Sequence, residues 1–374
     1  MNKWKLPRLI SSGMVLAQKQ KCRIWGWDAP GRKVTVSFLD EEYHTVTDTE
    51  GRWQLQMREY TSGGPYVMRI YDDAGNESVI DDIVIGDVWF CSGQSNMELP
   101  MERVKDRYPD EIVNCNNPFI RTFKIVERVD YHGPLEELET GEWIEAGEDS
   151  IRAFSATAYF FAKTLYKMTG VPVGFINASL GGSRIEGWMG RDMLEGYDEF
   201  LALADQYADD SFLEGQKEKN LKQDEDWYGN LDREDIGLKE SWEQESADWD
   251  TACAVSIPFF FRDTELKDFI GVIWFRRTFT VPKEMAGKDA RLWLGTIVDN
   301  DRVFINGVEV GNTPYQYPPR KYDVPGELLK KGTNSIVIRV RVETGCGRFT
   351  VGKKYALWND ECEVDLTGTW QYRI

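Results

Sequence analysis

The chain has 374 residues, 41% hydrophobic and 13% aromatic, with a formal net charge of −18 and a sequence pI near 4.7. That length supports two or three domains rather than a single core. The acidic balance argues against nucleic acid and anionic membranes as partners, since both are bound through Lys and Arg that neutralise phosphates.

The N-terminal stretch "MNKWKLPRLISSGMVLAQKQ" has basic residues but no apolar run of signal-peptide length, and no later segment approaches 18 consecutive apolar residues. The six cysteines (Cys22, Cys91, Cys115, Cys253, Cys346, Cys362) form no CxxC pair. They are expected as free thiols in a reducing compartment, and the chain as cytoplasmic.

Residues 1–84 have an all-β texture. "CRIWGW", "KVTVSF", "WQLQM" and "YVMRIY" are short β-rich runs separated by the turn sequences "DAPG", "DTEG", "TSGGP" and "DDAGN", which suggests a small sandwich. At Asp81 the texture changes. "DDIVIGDVWFC" is a continuous apolar run, as expected for a strand buried on both faces of a parallel sheet. "NPFIRTFKI" (117–125) is a candidate strand, Ser155 is placed to cap a helix ending at Gly170, and "VPVGFINAS" is a second buried strand. This rhythm is α/β. A helical stretch, "DMLEGYDEFLALADQYA", then leads into an acidic segment. Between Asp205 and Asp250 there are 16 Asp/Glu against 5 Lys/Arg, expected as a solvated, partly helical insertion. From about Trp249 the runs "GVIWFRRTFTVP", "ARLWLGTIV", "DRVFINGVEVG", "NSIVIRVRV" and "GTWQYRI" alternate, with an Asn306–Gly307 hairpin signal. They suggest a jelly-roll-like sandwich.

Two glycine-bearing turns carry the chemistry candidates. "SGQSNM" (92–97) puts Ser95 at the C-terminal end of a parallel strand, the edge where open α/β sheets hold ligands. A serine hydroxyl needs a base and an oxyanion hole to act as a nucleophile. The turn offers a backbone N–H at Ser95 itself, with Gln94 and Asn96 as polar neighbours able to hold the loop or a bound oxygen. The same pattern also suits a plain turn in which Ser95 caps the next helix. "NASLGGSRIEGWM" (177–189) follows the second buried strand to the same edge. Gly181 and Gly182 let backbone N–H groups approach a ligand closely, and Ser183, Arg184, Glu186 and Trp188 are placed to line a sugar site. Alternatively this is a glycine turn whose Glu186 and Trp188 merely pair or pack.

Of the two histidines, His44 in "EEYHTV" suits a strand, and His132 in "VDYHGPL" suits either a loop base for Ser95 or a solvated loop residue. Trp274, Tyr315, Tyr317 and Trp358 are candidates for stacking on sugars, with core or structural roles as the alternative. No phosphate loop, zinc spacing or EF-hand loop occurs, so no metal and no cofactor are expected.

"GDVWFCSGQSNMELP" and "ASLGGSRIEGWM" together resemble the sialate O-acetylesterase family, carbohydrate esterases of the SGNH hydrolase superfamily. The resemblance runs along the whole chain. "MVLAQKQKCRIWGWDAPGRKVTVSF" and "TDTEGRWQLQM" resemble the family's N-terminal β-domain, and "SIRAFSATAYFFAKTLY" its helix between the two motifs. The strands after Gly271 are similar to the inserted sugar-binding jelly roll also found in β-galactosidase-type enzymes. The resemblance implies a mixed fold with four parts. These are a β-sandwich (1–84), the N-terminal part of a flavodoxin-like SGNH α/β domain (85–205), the acidic helical insertion (206–248) and a galactose-binding-like jelly roll (249–374).

It also implies Ser95 as the nucleophile of acetyl-ester hydrolysis, with its N–H and that of Gly181 or Gly182 in the oxyanion hole. The substrate would be an O-acetylated sugar or oligosaccharide, held near Gln94, Asn96, Arg184, Glu186 and Trp188. The family pattern further includes a Gly-Glu-Ser-Asn motif and a late Asp-x-x-His motif. No GxSN-like motif follows residue 97, and no histidine follows His132. The expectation is therefore a nucleophile whose base lies elsewhere: a complementing C-terminal half or self-association, and an apolar sheet edge left uncovered. The competing expectation is a carbohydrate-binding or scaffold protein without catalysis. A glycosidase is weaker, since no acidic pair can be placed in a catalytic fold.

Overall fold

The computed structural model describes residues 4–374, which fall into two compact units divided between Leu213 and Glu214. The fold is mixed α/β. In the first unit the strands are β1 (Val15–Ala17), β2 (Arg23–Trp27), β3 (Lys33–Phe38), β4 (Glu41–Val46), β5 (Arg52–Gln56), β6 (Gly63–Asp72), β7 (Glu77–Gly93), β8 (Asn116–Lys124), β9 (Trp143–Gly147) and β10 (Val173–Ser179). The helices are α1 (Ser95–Glu98), α2 (Pro109–Val113), α3 (Ala156–Thr169) and α4 (Asp198–Tyr207). One eight-stranded sheet runs β4-β3-β6-β7-β10-β8-β9, with β1 paired to β7, and β2 and β5 form a separate ribbon.

The strand that organises this unit is β7. Its first half pairs antiparallel with β6, and Gly63 stands opposite Ile85. Its second half, 87–93, pairs in parallel with β10, from Asp87 opposite Val173 to Gly93 opposite Ser179. The expected boundary at 84/85 thus falls inside a single 17-residue strand. The N-terminal core confirms the continuity, since Phe123 and Trp143 join Val34, Val36, Phe38, Met68 and Ile70 in one cluster.

Three strands, β7, β10 and β8, are mutually parallel in order across the sheet, and β9 closes that side antiparallel to β8. The apolar run 81–91 was expected to be buried on both faces, but only Ile83–Gly86 and Cys91 in it are buried. Trp89 is 45% and Phe90 65% exposed. The reason is topological: along 87–93 only one edge of β7 carries a strand among the described residues, because β1 stops opposite Gly86. Trp89 meets Phe161 of α3 edge-on at 5.0 Å.

Helix α3 forms where its sequence directs. The Ser155 hydroxyl accepts the Ala158 N–H at 3.2 Å, Gly170 takes the C-cap, and Ala156, Ala158, Tyr159 and Ala162 are buried. That small-residue face packs into a core with Cys91, Ile120, Val173 and Phe175 of the parallel strands.

A 25-residue helix, α5 (Asp210–Glu234), has no buried residue, in keeping with its acidic composition. The short α6 (Ile236–Lys239) follows. The end of the acidic segment is not solvated, however. Trp242 and Trp249 form a buried cluster with Trp274, Phe304 and Val337.

The second unit continues with β11 (Cys253–Ile257), β12 (Phe259–Phe260), β13 (Gly271–Val281), β14 (Ala290–Leu294), β15 (Ile297–Val298), β16 (Asn300–Ile305), β17 (Val308–Thr313), β18 (Lys321–Val324), β19 (Gly332–Val342), β20 (Arg348–Phe349), β21 (Tyr355–Trp358), β22 (Glu363–Asp365) and β23 (Gly368–Arg373). A six-stranded sheet, β11-β23-β13-β19-β16-β17, and a four-stranded sheet, β18-β14-β21-β22, share one apolar core that includes Phe275, Ile338, Leu292 and Leu357. The expected hairpin at Asn306–Gly307 joins β16 to β17. Trp274 is 1% exposed and donates its indole N–H to Asp235 Oδ1 at 2.9 Å, so it is a core residue and not a sugar-stacking surface.

Candidate active site

Because β7 and β10 are parallel and in register, the turns that follow them leave the sheet side by side. Leu180 N–H donates to Gly93 O at 3.0 Å, which fastens the start of the second turn to the end of the first strand. Gly93 has φ +143°, a conformation L side chains rarely adopt. Beyond it the chain folds at once into α1. Below the turns, Ser179 and Asn177 are buried, and the Ser179 hydroxyl donates to Asn177 Oδ1 at 2.6 Å.

Ser95 is the first residue of α1, and Gln94 holds the N-cap position. The helix-cap role for Ser95 is therefore not the one adopted. Its hydroxyl is exposed and has no hydrogen-bond partner among the described residues. Gln94 reaches the other turn instead, its side-chain amide donating to Ser183 O. The Asn96 backbone carbonyl accepts the Thr157 hydroxyl at 2.9 Å, which ties α1 to α3.

Gly181 lies directly against Ser95. A Cβ there would stand 3.4 Å from Ser95 Cβ and 2.6 Å from Glu98 Oε2. The Gly181 N–H, one of the two implied oxyanion donors, is taken by a carboxylate oxygen: it donates to Glu98 Oε2 at 2.6 Å. Gly182 is in the open, with nothing within 4 Å of a Cβ built there. Trp188 donates its indole N–H to Ser183 Oγ at 2.9 Å, and Arg184 lies 3.9 Å from Glu186. Ser95, Gln94, Gly181 and Ser183 are thus brought together, with Trp188 attached through Ser183. Arg184 points its charge into solvent at 84% exposure.

Glu98 was missed in the sequence. Its signal was the i,i+3 offset from Ser95, which puts both on one face once α1 is helical. His132 is not brought to Ser95. Its Nε2 is 3.1 Å from Asp210 and its Nδ1 3.4 Å from Asp130, and the ring is exposed. The His132 backbone N–H donates to Asp130 at 2.9 Å and holds that carboxyl below the usual range. His44 sits in β4, 3.1 Å from the Thr35 hydroxyl. Among the described residues, no group of three or more His, Cys, Asp or Glu is placed to hold a metal ion. No helix there is long and apolar enough to cross a membrane.

Residues 85–228, which contain both turns, match the family described as "Carbohydrate esterase, sialic acid-specific acetylesterase". This part of the chain resembles the sialate O-acetylesterases. Residues 212–359 match "Glycosyl hydrolases family 2, sugar binding domain". The chain is 25% identical over 209 residues to the sialate O-acetylesterase of Mus musculus, covering 51% of this chain and 38% of that protein. It is 39% identical over 87 residues to the β-galactosidase BoGH2A of Bacteroides ovatus, covering 21% and 10%. A solved carbohydrate acetylesterase from Xanthomonas citri aligns at 37% identity and a TM-score of 0.48, over 50% of this chain and 42% of that one. The chain spans 38% of the length of the mouse esterase.

Proposed function

We propose that this chain carries the nucleophile of a carbohydrate O-acetylesterase, with Ser95 attacking the acetyl carbonyl of an O-acetylated sugar or oligosaccharide. The observation that carries the reading is the unpartnered, exposed Ser95 hydroxyl at the head of α1, with the Gly181 backbone packed against it. In this mechanism Ser95 Oγ bonds to the acetyl carbon and its proton passes to a base. The tetrahedral oxyanion is met by backbone N–H groups of Ser95 and Gly182, and by that of Gly181 once Glu98 swings away. Collapse expels the sugar hydroxyl and leaves acetyl-Ser95, which water then hydrolyses. The finer fold we infer is an SGNH-type α/β sheet supported by the N-terminal β-sandwich, with a jelly roll in the second unit. The site of action we infer is the cytoplasm.

The base comes from a complementing segment, either a C-terminal half or another copy. Two observations support this. Both ring nitrogens of His132 face carboxylates, and the free edge of β7 beside Trp89 and Phe90 is open to a further strand. Turnover of p-nitrophenyl acetate by the chain alone is expected near background, with a slow fluorophosphonate adduct mapping to Ser95. Robust turnover lost in both Ser95→Ala and His132→Ala would refute the need for completion. An adduct that maps elsewhere would refute the nucleophile. The second reading, a carbohydrate-binding or scaffold protein, is favoured by the Glu98 carboxylate on the Gly181 N–H. It predicts oligosaccharide binding unaffected by Ser95→Ala and no adduct at all.

A further inference from the structure

Glu98 lies at the end of α1, on the same helical face as Ser95. The two side chains meet at Gly181. A Cβ built there would stand 2.6 Å from Glu98 Oε2 and 3.4 Å from Ser95 Cβ. The carboxylate is fastened in this position, because its Oε2 accepts the Gly181 N–H at 2.6 Å, and the residue is half-buried. A charge held in place and partly withdrawn from water is screened less than one on a free surface side chain.

No cation answers this charge. Among the described residues Glu98 has no ion pair, and the basic groups nearest it in sequence are committed to another carboxylate. Lys105 binds Glu102, and Arg152 binds the same Glu102 at 2.7 Å. Arg184, in the facing turn, lies 3.9 Å from Glu186 and is 84% exposed, so water and that carboxylate take up most of its field. Arg184 and Glu186 offset one another, and Glu98 is left over. The surroundings of the serine are therefore net negative, and the −18 of the whole chain adds in the same sense.

We infer that Glu98 is a specificity-determining residue: it makes the serine site disfavour esters whose sugar carries a carboxylate, sialates and uronates alike, and accept those of neutral or cationic sugars. This rests on Ser95 being the nucleophile and adds the charge class of the substrate. It sets the chain apart from the sialic acid specificity in the description that residues 85–228 match. The carboxylate acts at both stages of the reaction. Seated on Gly181, it repels an arriving anion. Displaced by the oxyanion, it stays tethered one helical turn from Ser95 and still opposes a second negative charge on the sugar. The oxyanion itself is opposed in every substrate equally, so the discrimination comes from the charge of the sugar alone.

The test labels Ser95 of the intact chain with three short fluorophosphonates of equal length, ending in a methoxy, a carboxylate or a trimethylammonium group. Rates are compared at low ionic strength. The carboxylate probe is expected to react at least about fivefold more slowly than the neutral one, and the ammonium probe at least as fast as it. Glu98→Gln keeps an oxygen for the Gly181 N–H and removes the charge, so it should bring the carboxylate probe to within about twofold of the neutral one. About 1 M NaCl should do the same to the wild-type chain, since screening then acts over about 3 Å. A role of Glu98 confined to holding the turn would change all three rates together and leave their ratios fixed. Four results overturn the inference: a carboxylate probe as fast as the neutral one, a carboxylate probe faster than it and slowed by Arg184→Ala, ratios unchanged in Glu98→Gln, or ratios insensitive to salt. Absence of a Ser95 adduct from the neutral probe is a different failure, that of the nucleophile itself, and takes the inference with it.

Discussion

Asp235 offers a direct test of how the acidic segment is attached to the second unit. Its Oδ2 accepts Arg339 Nε at 2.7 Å, while its Oδ1 accepts the Trp274 indole N–H at 2.9 Å and the Leu238 N–H at 3.2 Å, capping α6. The Asp235 side chain is 2% exposed and that of Arg339 6%. Asp235→Ala would leave a buried indole donor unpaired and a buried guanidinium with only Asp232, which is 58% exposed. Breaking a buried pair from one side costs about 3–5 kcal/mol. Asp235→Asn keeps an acceptor and loses the charge, for about 1.5–3 kcal/mol. Urea unfolding is followed by tryptophan fluorescence, to which Trp242 and Trp274 contribute among the fourteen tryptophans of the chain. With a slope of about 2 kcal/mol/M, the alanine variant should lower the midpoint of the second unit's transition by about 1.5–2.5 M. A shift under about 0.5 M, or an asparagine variant equal to wild type, would show that the cluster is not the anchor described here.

Glu98→Ala should release the Gly181 amide, which would then exchange with deuterium at least about tenfold faster, while Glu98→Gln keeps most of the protection; equal exchange in all three proteins would count against the contact. Arg121→Met should destabilise the first unit by about 3 kcal/mol in a urea melt. The 3% exposed guanidinium bonds Pro118 O at 2.7 Å, Gly13 O at 2.8 Å, Asp82 O at 2.5 Å and Asp82 Oδ1 at 2.9 Å, and its loss strands those carbonyls. Burial pushes the Cys22, Cys91 and Cys115 thiols up. A thiol reagent at neutral pH should therefore modify exposed Cys253 and Cys346 first, and those three only on unfolding, as mass spectrometry would report. The Phe212 and Ser211 N–H groups donate to Asp209 and hold its carboxyl below the usual carboxylate range. A folded pKa below the unfolded one means the contact contributes fully above the unfolded value and is lost as pH falls through the folded one. A carboxyl NMR titration should give Asp209 a midpoint below about 3.9, and one at or above it would be contrary.

What the sequence made legible was local. The alternation of Lys33–Phe38, the cap at Ser155 and the stop at Gly170 each depend on neighbours within a few positions, and all three appear as read. The continuity of β7 was hidden because a composition change at Asp81 looks the same whether the chain starts a new domain or simply passes to a differently covered part of one sheet. Exposure of Phe90 was hidden for the same reason, since an apolar run does not state how many edges of its strand are paired. Whether Trp274 stacks on sugars or packs in the core was left open by the sequence, and Asp235, 39 positions earlier, decides it by holding the indole nitrogen. At the candidate site, the proximity of the two turns followed from their strand-end positions. The Glu98–Gly181 bond spans 83 positions and depends on the register of β7 with β10, which no local pattern encodes.

The unbroken passage of β7 through residues 84 and 85 also bears on how such a protein can be inherited and cut. A crossover or a proteolytic nick at that point would not exchange or release a module; it would split one strand and leave the stump bearing Ser95 without the half that β1 and β6 grip. The N-terminal strands therefore have to travel through recombination together with the serine turn.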